Sequence, residues 1–447
     1  MKRAGWFALL AVAASYYACL ISNGAFRFWS SATEAGWNNG AGVLGRTFNS
    51  MLLHLLHGRF DVDPGAIRWE AIVKDGKTYA YFGVAPALAR LVALPLVDLR
   101  TLDVSLLFCL LAATLAAAFK LRALRTAQAA GAGGPAFVAM VVVTLFAGAQ
   151  VQFLRPSVYQ EALLWAGAFA AGFVAVALGG LLGARGFTDR ALLALAALAA
   201  LALLARVTTG AGLSLALLAL LALLVARERR QGGLRAARFV APLLVLGVGV
   251  LAVGVVNYGR FGNPLTFAQP LLQFYTHPDG IPALTRYGVF NVRRLPYGLM
   301  YYFAPVWWVH DAPAHLAFAE FQERLLDLVE LPPSSFLLSD PLLLVVAALG
   351  LGVLLRPTTA LDRRAAALLA TALAVPPLAL LTAFVLAFRY RMDFYPVLEL
   401  LALLALAGSP ALRPGALSPR VKRTVIVLGC ASVLASHALL VLYKASP

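Results

Sequence analysis

The chain has 447 residues, of which 61% are hydrophobic and only 13% charged, against roughly one quarter charged in a soluble domain. That composition excludes a soluble globular protein, and the long apolar runs exclude a β-barrel, whose segments would be short and alternating. A formal net charge of +17 raises nucleic acid as a partner, but membrane proteins gather Lys and Arg in cytoplasmic loops facing anionic lipid, which explains the charge without nucleic acid.

The expected fold class is therefore an all-α polytopic membrane protein of about eleven transmembrane helices with two large outer loops. The apolar runs predict spans at 5–22, 101–119, 135–153, 159–182, 191–204, 210–226, 239–256, 341–355, 365–387, 394–410 and 424–443. The whole chain, 1–447, reads as a single integral membrane domain, with a first outer loop at 23–100, a second at 257–340 and a C-terminal set of helices at 341–447.

With a cytoplasmic N-terminus, basic clusters such as "RERRQGGLRAAR" fall inside, and the short outer segments hold only Arg155, Arg206, Arg389, Arg391 and Lys444, as the positive-inside rule requires. Lys2, Arg3 and the small residues near "SYYAC" resemble a signal peptide, yet a retained first span suits the parity of the later charges. Cys19, Cys109 and Cys430 all lie in apolar runs and read as small hydrophobic side chains.

In the first outer loop, Phe48, Met51, Leu52, Leu55 and Leu56 follow helical spacing and leave Arg46, Asn49 and His57 elsewhere, which predicts a helix lying in the membrane interface. It is followed by "DVDPG", a turn carrying Asp61 and Asp63. Such a pair can serve as a general base, hold a divalent cation with His54 and His57, or be a solvated turn. Glu34, Glu70 and Asp75 are further outer carboxylates with the same alternatives.

The run from Ala191 to Ala226 would extend about 54 Å as one helix, against a hydrocarbon core of about 30 Å, so the chain is expected to turn back at "ARVTTG". The outer arginines follow: Arg155 in "FLRPSVYQEALLW" with Glu161 in the next helix, Arg206 in the turn just named, Arg260 in "NYGRFGNP", and Arg389 and Arg391 in "LAFRYRMDFYP". Singly, each reads as a snorkelling anchor; together they suit a lipid phosphate, because guanidinium forks bind phosphate bidentately. The aromatic cluster "YGLMYYFAPVWWV" reads either as a sugar-stacking surface or as an interfacial belt.

An outward acid after the first span, an amphipathic helix ending "LLHGRF", and then "DGKTYAYFGVAPALARLVALPL" resemble the first outer loop of GT-C membrane glycosyltransferases of the protein mannosyltransferase and aminoarabinose transferase group. Glu34, Gly58, Gly76, Lys77, Tyr79, Pro86 and Pro95 carry the likeness. The chain departs from that pattern in having a lone Glu34 for the usual acidic pair and "YFGVAP" for the usual Pro-Pro motif.

The resemblance implies a multi-pass protein of a bacterial-type inner membrane. It would move a sugar, with inversion, from a polyprenyl-phosphate carrier to a lipid or glycan acceptor on the outer face. Glu34, Asp61 or Asp63 would be the base; Arg155, Arg206, Arg260, Arg389 and Arg391 would hold the lipid phosphate; and Lys77, Tyr79 and Glu161 would contact substrate, with a divalent metal ion as a possible cofactor. The competing readings are a transporter or flippase of a lipid-linked or anionic substrate, and a non-catalytic partner in envelope assembly.

Overall fold

The computed structural model describes residues 3–31, 44–233, 235–266, 282–304, 310–312, 315–316, 325–330, 335–355, 361–413 and 415–445. Glu34 lies outside the described residues, as does part of the second-loop aromatic cluster.

A helix occupies each of the predicted apolar stretches. Seven helices among the described residues are long and apolar enough to cross a bilayer: Ala4–Ile21, Ser105–Ala129, Val158–Leu182, Val207–Arg230, Ala236–Phe261, Arg363–Leu380 and Pro419–Ala445. Gly134–Phe146, Asp189–Ala205, Pro341–Leu355 and Tyr395–Gly408 are shorter, at 13, 17, 15 and 14 residues. Side-chain caps set several starts: Ser157 accepts from the Gln160 amide, Thr188 from Ala191 and Asp362 from Ala365, each satisfying a donor that a helix leaves unpaired in its first turn. Val158–Leu182 is the most deeply buried of the long helices and forms the centre of the bundle.

The turn at "ARVTTG" is tighter than a loop. One helix ends at Ala205 and the next begins at Val207, and Arg206 alone, in extended conformation, reverses the chain. Gly210 makes this possible, because a Cβ there would meet the Leu203 backbone at 2.3 Å.

Two expectations are corrected. The helix Thr47–Leu55 does bury Phe48, Met51 and Leu52, but Thr47, Asn49 and Ser50 are buried as well and Leu56 is exposed. It is enclosed in a small core with Val62, Ile67, Phe82, Val84 and Phe108. Its polar side chains tolerate this because they are hydrogen-bonded: Asn49 donates to the Leu99 and Leu102 carbonyls and Thr47 to that of Ala66.

The second correction concerns the span expected at 365–387. That helix stops at Leu380; Val385–Leu386 then pairs as a parallel strand with Leu328–Val329 of the second loop, and a 3₁₀ turn follows over Phe388–Asp393. The pairing outcompetes helix here because backbone donors and acceptors of the second loop, such as the Asn291 amide on the Thr382 carbonyl at 2.8 Å, take up groups that a helix would have satisfied internally.

Candidate functional site: an arginine-lined cavity

Loop one is pressed against the end of helix Asp189–Ala205, and Gly83 is the point of contact: a Cβ there would sit 2.3 Å from the Leu204 carbonyl oxygen and 2.4 Å from that of Ala205. This approach carries Tyr81 and Phe82 up to the Arg206 turn. The last turns of helix Ala236–Phe261 bring Arg260 to the same place, and the 3₁₀ turn brings Arg389 and Tyr390. Between these elements lies a cavity of about 300 Å³, at the lower end of the range of small-molecule sites. Leu203, Leu204, Val253, Val256, Phe384 and Val385 form its apolar walls, and Arg206, Arg260, Arg389, Tyr81, Tyr159, Tyr390, Thr208 and Asn257 supply polar groups.

Three of the five predicted arginines thus share one space. Asp393 accepts from Arg206 Nη2 at 2.8 Å and Nε at 3.2 Å, and from the hydroxyls of Thr208 and Thr209 at 3.1 and 2.6 Å. Arg389 donates from Nη1 to Glu330 at 3.0 Å. The Tyr390 ring lies between the two guanidiniums, 5.2 Å from that of Arg206 and 5.7 Å from that of Arg389, within cation–π range of both.

Arg260 differs. It is 4% exposed, donates from Nη1 to the Phe82 carbonyl at 2.9 Å and from Nη2 toward Met51 Sδ at 3.5 Å, and its Nε has no hydrogen-bond partner among the described residues. No carboxylate of the described residues pairs with it. Arg206 and Arg389 are each paired with an acid, and Arg260 is the cavity arginine left without one among the described residues. An unpaired buried cation costs several kcal/mol, and an anion in the cavity would offset that cost.

Arg155 and Arg391 are placed elsewhere. Arg155 donates to the Tyr443 carbonyl at 2.7 Å. Arg391 is fully buried, bonded to Asp340 and Ser339, with its guanidinium 4.1 Å from the Phe336 ring centroid. Of the two arginines of "FRYR", Arg389 lines the cavity, while Arg391 ties the 3₁₀ turn to the start of helix Pro341–Leu355.

Glu161 is also fully buried and forms a two-pronged ion pair with Arg90, at 2.8 Å for Nη2 to Oε2. Arg90 further donates to Asn49 at 2.6 Å and to the Pro86 carbonyl at 2.9 Å. The pair fastens loop one to the central helix, leaving neither group turned to the cavity.

Lys77 is exposed, on a two-stranded hairpin of Ile72–Lys74 and Lys77–Tyr79. Tyr79 is buried with its ring 6.2 Å from that of Phe261, and Lys74 donates to the Phe261 carbonyl at 2.7 Å, so the hairpin braces the end of the Arg260 helix.

Asp61 and Asp63 do not line the cavity either. Asp61 accepts from Arg59 Nε at 3.0 Å and lies 3.1 Å from His54 Nδ1; the Arg59 hydrogen bonds, opposed by partial burial and aided by His54, lower its carboxyl to a pKa of about 2. Asp63 is mostly exposed, bonded to Ser50 at 2.8 Å and 3.5 Å from His54 Nε2. No group of three or more His, Cys, Asp or Glu among the described residues is placed to hold a metal ion.

Sequence reasoning named Glu70 only as one more outer carboxylate and missed the two tyrosines that join it to the cavity. Glu70 accepts from the Tyr81 hydroxyl at 2.7 Å and also from the Tyr159 hydroxyl. Burial, followed by the nearby Glu70 charge, pushes the Tyr81 hydroxyl well above the usual phenol range, so it stays a donor. The alternation in "TYAYFG" is the signal that could have found Tyr81; Tyr159, inside "SVYQE", has none.

No protein-family model and no curated protein matches the chain. Among solved structures it is similar to an Archaeoglobus fulgidus oligosaccharyltransferase tethered to an acceptor peptide, at 16% identity and a TM-score of 0.47, over 98% of this chain and 55% of that one. It is also similar to the oligosaccharyltransferase AglB of Archaeoglobus fulgidus in complex with an inhibitory peptide and a dolichol-phosphate, at 14% identity and a TM-score of 0.45, over 98% of this chain and 56% of that one. The chain spans about half the length of each.

Proposed function

We propose that this protein is a membrane glycosyltransferase of GT-C type that takes a sugar from a polyprenyl-phosphate carrier on the outer face and passes it to an envelope acceptor. The observation that carries this reading is the uncompensated Arg260 in a cavity shared with Arg206 and Arg389. A guanidinium that is buried without an acid suits a monoanionic phosphodiester, and guanidinium forks suit its oxygens. The apolar walls include Val253 and Val256 of a helix whose other face is broadly exposed at Val248, Leu251 and Val255, so an isoprenoid chain has an apolar path from the bilayer to the phosphate.

In the proposed reaction the acceptor hydroxyl attacks the anomeric carbon, its proton passes to a loop-one carboxylate, and the C1–O bond breaks with its electron pair leaving on the lipid phosphate. The arginines stabilise the charge that grows on that phosphate. Of the carboxylates considered, Asp61 is the weakest base, because Arg59 holds it ionised, and Asp63 stands outside the cavity; the role therefore falls to Glu34.

The test is mass spectrometry of envelope glycans from cells with and without the chain, and from cells carrying Asp63→Asn or Glu34→Gln. A product lighter by one sugar without the chain, reproduced by Glu34→Gln and not by Asp63→Asn at normal membrane levels, is the expected result. Unchanged glycans in the deletion would refute the function. Lipid-linked sugar moved across proteoliposomes without chemical change would assign transport instead.

A further inference from the structure

Glu70 is exposed to no ordinary task of a surface acid. It ends a short 3₁₀ turn, Arg68–Glu70, entered through an unusual backbone: Arg68 has φ +48° and ψ −119°, a conformation that non-glycine residues adopt only at a cost and that often accompanies functional sites. The turn leaves Trp69 exposed and Glu70 half-buried, with both carboxylate oxygens accepting phenol hydroxyls, Oε2 from Tyr81 and Oε1 from Tyr159. Both tyrosines line the cavity.

Tyr159 is the platform of Arg389, whose guanidinium lies 4.8 Å from the ring centroid. The ring is wedged by Phe82, edge-on at 5.5 Å, and Phe82 is itself stacked on Tyr81 at 4.3 Å. Arg389 is therefore held from two sides, by Glu330 through an ion pair and by Tyr159 through its ring. The ring's orientation in turn depends on the hydroxyl bond to Glu70. A carboxylate that accepts a hydrogen bond from a phenol also polarises the ring and makes its face more attractive to a cation.

We propose that Glu70 is a positioning residue that acts through Tyr159 to set the reach of Arg389 into the cavity, and so tunes the affinity of the site for a lipid phosphate without itself touching it. This rests on the cavity being the phosphate site. It makes Glu70, Tyr159 and Arg389 a serial unit, so removal of any one member should remove the effect of the others, the signature of a chain of contacts rather than of independent ligands.

The experiment is binding of farnesyl phosphate to the full chain in detergent by calorimetry, with farnesol as the uncharged control, for wild type, E70A, E70Q, Y159F, R389A and the doubles E70A/Y159F and E70A/R389A. E70A and Y159F should each weaken farnesyl phosphate about tenfold, equivalent to about 1.4 kcal/mol, and leave farnesol unchanged. E70A/Y159F should bind as E70A does, and E70A/R389A as R389A does. E70Q, which keeps an acceptor oxygen but loses the charge, should fall between wild type and E70A.

Wild-type affinity in E70A, multiplicative losses in the doubles, or an equal loss of farnesol would overturn the proposal. Wild type that binds farnesyl phosphate no better than farnesol would reject the phosphate site itself, and this role with it. In a transfer assay the donor KM should rise with kcat held within about twofold; a collapse of kcat in E70Q at constant KM would make Glu70 a proton acceptor and refute positioning.

Discussion

Arg260→Met exchanges a buried charge for an apolar side chain of similar length, and its two consequences should run in opposite directions. In the empty protein the guanidinium is 4% exposed, lacks a described carboxylate and leaves Nε unbonded. Replacing buried ionic groups with apolar ones is often neutral or stabilising by about 1 to 4 kcal/mol. Against this stands the loss of the 2.9 Å bond to the Phe82 carbonyl, which costs about 1 kcal/mol. The net expectation is an empty-site protein whose stability changes by roughly −1 to +3 kcal/mol.

Binding should change the other way, because a charge-assisted bond to phosphate contributes about 1.5 to 3 kcal/mol, so its loss weakens affinity by roughly 10- to 150-fold. The assay is thermal unfolding in detergent with and without farnesyl phosphate. In wild type a ligand at about 100 times its Kd adds about 2.7 kcal/mol, seen as a rise in Tm; at the same ligand concentration Arg260→Met should start from a similar or higher Tm and gain only about 0.3 to 1.4 kcal/mol, half the wild-type rise or less. A variant that is markedly less stable when empty, yet keeps the full ligand shift, would refute the assignment of Arg260 as the phosphate contact.

Two further outcomes test how loop one is held. Glu161→Gln leaves the fully buried Arg90 without its carboxylate and should cost about 3 to 5 kcal/mol, read as a lowered unfolding midpoint, whereas the double Arg90→Met, Glu161→Leu should recover most of it. Asp61 has a folded pKa of about 2 against an ordinary value of 3.8. Its contribution is thus complete above pH 4, fades as the pH falls toward 2, and amounts to about 1 to 2 kcal/mol; hydrogen exchange in residues 59–63 should rise over that window, and Asp61→Asn should abolish the pH dependence.

The fold was largely legible because membrane helices are governed by composition and length, which are local properties. The reversal at Arg206 followed from run length alone. What escaped was decided by partners distant in the chain. The helix expected to continue to 387 gives way to a strand at Val385–Leu386 because Leu328–Val329 lies beside it, and an amphipathic pattern around Phe48 could not reveal that Asn49 and Ser50 would find partners of their own inside a core. Nor could the sequence reveal that Arg90, 71 positions before Glu161, comes to rest against it with both side chains buried.

The sequence by itself determined that this is a polytopic helical membrane protein, and that Arg206, Arg260 and Arg389 belong to the small set of cations worth examining. Tertiary structure decided which of them act together. Arg389 and Arg391 show why: they are two residues apart in the same motif, but on a 3₁₀ turn of three residues per turn their side chains diverge by about 120°, so one reaches the cavity while the other is sealed against Asp340. Periodicity assigns a residue to a face of its own element; what stands opposite that face is set by packing between elements remote in the chain.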